Sequence, residues 1–229
     1  MKTSKIIFIS LLGTITFLIL AALIDIRING RRGNEIQADF NVNKQRVASF
    51  KVLCVNNSRN ITLVQSDSSF IEITFRKDSI APKLNYTIKE DTLSVMDFEK
   101  LIHRNVSVRI YATDSLKKVS LKNSNINLAK FKAAKLLLEL DKSSVWFEYY
   151  SKFQTSFHTL GIVAKNDSRF NTSNFSVDSL AINLQHSEAN LQITARKISG
   201  TLSDHSKIFV RQPQEISLKK DETSRINVN

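Results

Sequence analysis

The feature that most limits what this chain can fold into is a repeat in its second half. A serine followed by x-Φ-x-Φ, with Φ apolar, recurs six times. The copies are Ser124-Asn-Ile126-Asn-Leu128, Ser143-Ser-Val145-Trp-Phe147, Ser168-Arg-Phe170-Asn-Thr172, Ser187-Glu-Ala189-Asn-Leu191, Ser206-Lys-Ile208-Phe-Val210 and Ser224-Arg-Ile226-Asn-Val228, with Thr172 the one polar Φ. Their spacings are 19, 25, 19, 19 and 18. A second ladder, Leu121, Leu140, Ala164, Leu184 and Leu202, has spacings 19, 24, 20 and 18. Both ladders carry the same insertion between their second and third turns.

A fixed period with two strand-like segments per turn predicts a solenoid, in which no turn buries its apolar face without its neighbours. At about 3.3 Å per residue, 19 residues give a perimeter of roughly 63 Å, enough for short strands joined by tight corners. From Val47 onward the apolar period is 2, as in Ile71-Glu-Ile73-Thr-Phe75 and Val106-Ser-Val108-Arg-Ile110. That pattern fits strands and not amphipathic helices. The expected class is all-β: a right-handed parallel β-helix with turns of about 19 residues. An antiparallel sandwich explains the alternation but not two ladders in step.

Alternation also sets facing. The Φ positions point inward, so the residue between them points outward. Those residues are Asn127, Trp146, Asn171, Asn190, Phe209 and Asn227. The residue before each serine is polar throughout and belongs to a corner.

The amino-terminal part has a different character. Ile6 to Ile24 is an uncharged run of 19 residues, and at about 1.5 Å per residue it matches the hydrocarbon core of a bilayer. The expectation is an uncleaved transmembrane helix over 6–24, after a tail of residues 1–5. A cleavable signal peptide is the alternative; its apolar region is normally shorter and ends in a small-x-small site. Residues 25–45 read as a polar juxtamembrane linker, and 46–229 as the β-solenoid. Lys2 and Lys5 precede the run and Arg27, Arg31 and Arg32 follow it, so basic residues leave the orientation nearly balanced.

Three stretches carry a resemblance to a known family. They are Phe50-Lys-Val52 with Asn60-Ile-Thr-Leu-Val-Gln65, the block Leu93-Ser-Val95 … Val106-Ser-Val108-Arg-Ile110-Tyr111 leading into Leu116-Lys-Lys-Val119-Ser-Leu121, and the stacked serine series. The chain resembles the auto-transporter adhesin, head GIN domain family of Bacteroidota, over about Val47 to Val228. In that family the corner before the strand is richer in glycine. Here the equivalents are Asn123-Ser124, Lys142-Ser143 and His186-Ser187. The resemblance implies a parallel β-helix-like fold at the cell envelope, on the extracytoplasmic side, and no catalytic residues. Asp-Ser/Thr-aliphatic triplets place candidate O-glycosylation acceptors at Ser79, Thr92, Ser115 and Ser179, by likeness to the acceptor site of exported Bacteroidota proteins. The same triplets are ordinary turn chemistry before a strand.

Little else points to catalysis. There is no phosphate-binding glycine loop, HExxH or GxSxG. One cysteine, Cys54, excludes a disulfide framework and a cysteine-based zinc site. Its alternation with Val52 predicts a thiol buried in the core. His186 and His205 are one turn apart with Asp204 beside them, which suits either a surface cation or two polar corner residues. No cofactor or metal is expected. Val145 to Phe157 holds Trp146, Phe147, Tyr149, Tyr150, Phe153 and Phe157, six of 19 aromatics. Trp146, Tyr149, Tyr150, Phe153 and Phe209 are the candidate partner surface, with a locally wider core as the alternative use of these rings. The net charge of +12 is spread along the chain. With a membrane anchor it favours anionic glycans or the membrane surface over nucleic acid. The functional expectation is a membrane-anchored envelope protein for adhesion, binding or structure. A signalling component is second, and a polysaccharide-active enzyme third.

Overall fold

The structure is a computed structural model and describes residues 2–29, 39–80, 82–98, 106–147, 155–211 and 213–228. The chain divides into two compact units, Met1–Phe40 and Asn41–Asn229. The first contains helix α1 (Lys2–Asn29). Its Thr14 and Thr16 hydroxyls donate to the Ser10 and Leu12 carbonyls, which satisfies them inside the helix. Described side chains cover Ser10 to Ile24 and Arg27, and all are exposed. Among the described residues no helix is long and apolar enough to cross a membrane. The span expected over Ile6–Ile24 therefore rests on sequence, because the side chains of residues 6–9 lie outside those described.

Among the described residues the regular elements along the second unit are strands. It opens with β1 (Phe40–Arg46), β2 (Val52–Asn56), β3 (Ile61–Gln65), β4 (Phe70–Arg76) and β5 (Asn85–Lys89). Next come β6 (Thr92–Met96), β7 (Ser107–Ala112), β8 (Lys118–Lys122), β9 (Asn125–Ala129), β10 (Lys132–Asp141) and β11 (Ser144–Phe147). The remainder is β12 (Ser156–Lys165), β13 (Arg169–Gln185), β14 (Glu188–Ser203), β15 (Lys207–Val210), β16 (Glu215–Lys220) and β17 (Arg225–Val228).

These strands stack in two parallel rows. One row runs β6, β2, β8, β10, β12, the second halves of β13 and β14, then β16. The other runs β7, β3, β9, β11, the first halves of β13 and β14, then β15 and β17. The rows form a long-strand face and a short-strand face, joined at one edge by the serine corners. The apolar ladders of the sequence fall in register: Leu121, Leu140, Ala164, Leu184 and Leu202 are successive partners, and all are buried. So are Ile126, Val145, Phe170, Ala189 and Ile208 on the other row. Each fully buried Leu, Ile or Phe contributes about 1.5–3 kcal/mol.

The repeated serines are buried as well, for a reason that alternation alone does not supply. Each closes the corner between the two rows. The Oγ of Ser124 donates to the Lys122 carbonyl and accepts the N–H of Ser58. The same arrangement continues upward, with the Ser124 N–H donating to Ser143 Oγ and the Ser143 N–H to Ser168 Oγ. Above them the Ser187 N–H donates to Ser206 Oγ and the Ser206 N–H to Ser224 Oγ. Serine carbonyls accept from the next turn, as Ser143 does from Arg169 N–H. The corner thus buries polar backbone with its hydrogen bonds made. The preceding residue takes a left-handed conformation, with φ between 47° and 62° at Asn57, Asn123, Lys142, Asp167, His186 and His205. These are the positions where the resembled family has more glycine; Asn, Asp and His are enriched in that region, whereas Lys is not.

Four features depart from the sequence expectation. The stack does not follow chain order: β2 and β3 lie between the β6–β7 turn and the β8–β9 turn. The amino-terminal end is not a parallel coil, since β4 pairs β7 and β5 pairs β6 antiparallel. Regular structure enters both ends of the stretch read as linker, because α1 runs to Asn29 and β1 starts at Phe40. Cys54 does not point into the core: Leu53 and Val55 are the fully buried residues of β2, and the thiol is half-buried on the outer side. Burial still pushes the Cys54 thiol above its ordinary pKa, against the lowering effect of Lys118.

Candidate binding face

The outer side of the short-strand face presents two columns of side chains. The first holds Asn127, Trp146, Asn171, Asn190, Phe209 and Asn227, each the register partner of the next. They point outward because their neighbours in each strand fill the core. Trp146 is 39% exposed, and Phe209 is half-buried. The two rings stand three turns apart, about 14 Å at ~4.8 Å per turn, with Asn171 and Asn190 between them. The second column, Arg169, Glu188, Lys207 and Arg225, is exposed throughout.

The second column borders an open polar groove of about 440 Å³ along the serine corner, whose lining includes Asp167, Arg169, His186, His205, Lys207 and Arg225. His186 Nε2 is 3.1 Å from Asp167 Oδ1, and its Nδ1 is 3.9 Å from Asp204 Oδ1. His186 and His205 therefore share the corner column expected for them. Among the described residues, however, no group of three or more His, Cys, Asp or Glu is arranged to hold a metal ion.

Of the aromatic segment, Phe147 and Phe157 turn inward. They join Phe131, Phe170 and Phe175 in a cluster with ring centroids 4.7–6.5 Å apart. Trp146 alone among its described residues faces solvent as a large ring. Tyr149, Tyr150 and Phe153 lie outside the described residues. The register insertion falls there too, between Phe147 and Thr155. The four candidate acceptors sit in different surroundings. Ser79 is exposed in a turn, donating to the Arg76 carbonyl at 2.7 Å, and the adjacent Ile80 is 94% exposed. Thr92 and Ser179 are half-buried in β6 and β13. Ser115 Oγ is held among Ser49, Thr113 and the Phe50 carbonyl.

Sequence reading missed how the outward column continues past the repeats. Thr62 pairs Asn127 on one side and Arg109 on the other, and Arg109 faces Glu72. Glu72 is buried and lies 3.0 Å from Lys44 of β1 and 3.9 Å from Arg109. Its alternation with Ile71 and Ile73 would place it outward; the Lys44 side chain of β1, a strand that pairs β4, lies against it.

No family model matches the chain, and no curated protein matches it. Solved structures do. A crystal structure of a "putative adhesin" from Bacteroides fragilis superposes with a TM-score of 0.58 at 15% identity, covering 83% of this chain and 97% of that one. A "putative adhesin" from Parabacteroides distasonis gives a TM-score of 0.47 at 12% identity, covering 83% and 94%. A "putative lipid binding protein" from the same species gives 0.48 at 12%, covering 83% and 97%. The first establishes that this all-β solenoid is shared with a named adhesin structure; at that identity the likeness is one of fold.

Proposed function

We propose that the chain is a membrane-anchored, non-catalytic binding protein of the cell envelope, and that its short-strand face holds an anionic glycan. The observation that carries the reading is the pair of outward columns. Trp146 and Phe209 offer ring faces for sugar stacking, Asn171 and Asn190 offer amides to hydroxyls, and Arg169, Lys207 and Arg225 offer charge to carboxylate or sulfate groups. Regular spacing along a rigid sheet suits an extended, repeating ligand, because the side chains are already ordered before it binds. The fold shared with a named adhesin structure supports binding over catalysis. The apolar run Ile6–Ile24 supports an anchor, and display outside the cytoplasm follows from the resemblance to envelope proteins. Ser79 is the acceptor position best placed for glycosylation.

The test is binding of the detergent-solubilised full chain to an array of neutral and acidic polysaccharides. Selective binding to acidic ones, weakened by Trp146→Ala, is the expected result. Equal binding to both, or indifference to Trp146→Ala, contradicts it.

A further inference from the structure

The last strand of the long-strand face, β16, has the composition of a self-complementary edge. It pairs with β14 on one side, and no strand covers its other side among the described residues. The Gln214 N–H donates to the Ala195 carbonyl. Past the break in the ladder opposite Arg196, the Asp221 N–H donates to the Leu202 carbonyl. Successive residues direct their backbone groups to opposite sides, so Ser217 and Lys219 bond β14, and Ile216, Leu218 and Lys220 aim their N–H and C=O at the free edge. Ile216 and Leu218 stack on the core columns below Ile198 and Gly200, yet Ile216 is 40% exposed.

A second copy turned about a two-fold axis through Ser217 would run antiparallel to the first. Glu215 then faces Lys219 of the other copy twice by symmetry, and Ser217 faces itself. Ile216 and Leu218, whose backbone groups are free, then face each other as hydrogen-bonded pairs, with Ser217–Ser217 and Glu215–Lys219 as the non-hydrogen-bonded pairs, so the hydrogen-bonding parity is satisfied. On the inner side Ile216 meets Leu218 of the other copy, which covers the apolar end of the core. A register shifted by one residue would set Glu215 against Lys220 and break the parity. We propose that β16 is a two-fold dimer interface between copies of this chain, in the register Glu215–Lys219, Ser217–Ser217.

Oxidative cross-linking of the detergent-solubilised full chain tests it. The Cα atoms of a non-hydrogen-bonded antiparallel pair are about 4.5 Å apart, within disulfide reach. Ser217→Cys should therefore give a covalent dimer. Thr87→Cys, exposed on the edge strand β5, and the parent chain with Cys54 alone should stay at background. Lys219→Glu leaves the Lys197–Glu215 ion pair (2.8 Å) in place and should lower the dimer yield, by up to about tenfold for two like-charge contacts. Lys219→Arg should keep the yield. Equal cross-linking at positions 217 and 87, a monomeric mass by light scattering, or indifference to Lys219→Glu would overturn the interface. None of these outcomes bears on glycan binding, which uses the other face.

Discussion

Ser143 shows what one side chain does at a corner. Its Oγ donates to the Asp141 carbonyl and accepts the buried Ser124 N–H. Ser143→Ala leaves both groups without that partner, so a loss of about 1–3 kcal/mol is expected in urea unfolding. The exposed Ser68→Ala should change stability by less than about 0.5 kcal/mol; equal losses would remove the corner from the account. Gly200 is the other position with a strict demand. Its φ is 142°, and a Cβ there would sit 1.8 Å from the Ile182 carbonyl oxygen. Gly200→Ala should destabilise by at least about 2 kcal/mol, and a neutral result would show that the close approach is not kept in solution. At the last corner the Asp221 carboxylate accepts the N–H groups of Asp204 and Ser224 and the hydroxyl of Thr223. The backbone bond from Asp204, ahead of the others, holds its pKa well below the ordinary 3.8. A depressed carboxylate contributes stability that is present above the ordinary value and is lost as pH falls below it. The protection of the Thr223 and Ser224 amides from exchange, taken relative to the intrinsic rate at each pH, should therefore fall on acidification below about pH 4, and Asp221→Ala should abolish that pH dependence. An unchanged profile in the variant would contradict the assignment.

At the scale of elements, β15 gives the sharpest contrast, because adjacent residues face opposite ways. Ile208 is fully buried, whereas Lys207 is exposed. Ile208→Asp buries an unpaired charge and should unfold or severely destabilise the domain, while Lys207→Asp should be nearly neutral for stability. Thermal melts of the two check it, and similar shifts would refute the register. Strand facing in the repeats was legible because each turn repeats the same chemistry at nearly the same spacing. The first turn was not. Its corner serine, Ser58, is followed by Arg59-Asn60-Ile61, one residue longer than Ser124-Asn125-Ile126, and it stacks on partners 40 and 66 residues away. No fixed period can reveal a turn placed out of chain order. Cys54 was misread for a related reason: Val52 sits at the strand's start, where partial burial mimics a core position, and Leu53 and Val55 carry the true inner phase.

At the scale of the molecule, the positive charge that is spread in sequence is set in different surroundings on the two faces. On the long-strand face several cations are matched locally, as in Lys118–Glu139 at 2.7 Å and Lys197–Glu215 at 2.8 Å. The short-strand face lines up Arg169, Lys207 and Arg225, with Glu188 between the first two, beside Trp146 and Phe209. The candidate site was partly readable: Trp146 and Phe209 followed from the repeat. The second column was visible in sequence as a mixture of signs, and the structure keeps that mixture, with Glu188 between Arg169 and Lys207; what the sequence did not show is the groove that the column borders. The most direct test of that face compares two charge reversals in the full chain. Binding to a polyuronate is measured across a salt series for Lys207→Asp and for Lys135→Asp, an exposed position on the long-strand face. The account predicts a loss of roughly 3- to 10-fold in affinity and a shallower salt dependence for Lys207→Asp alone. Equal losses in the two variants, or a loss confined to Lys135→Asp, would contradict it.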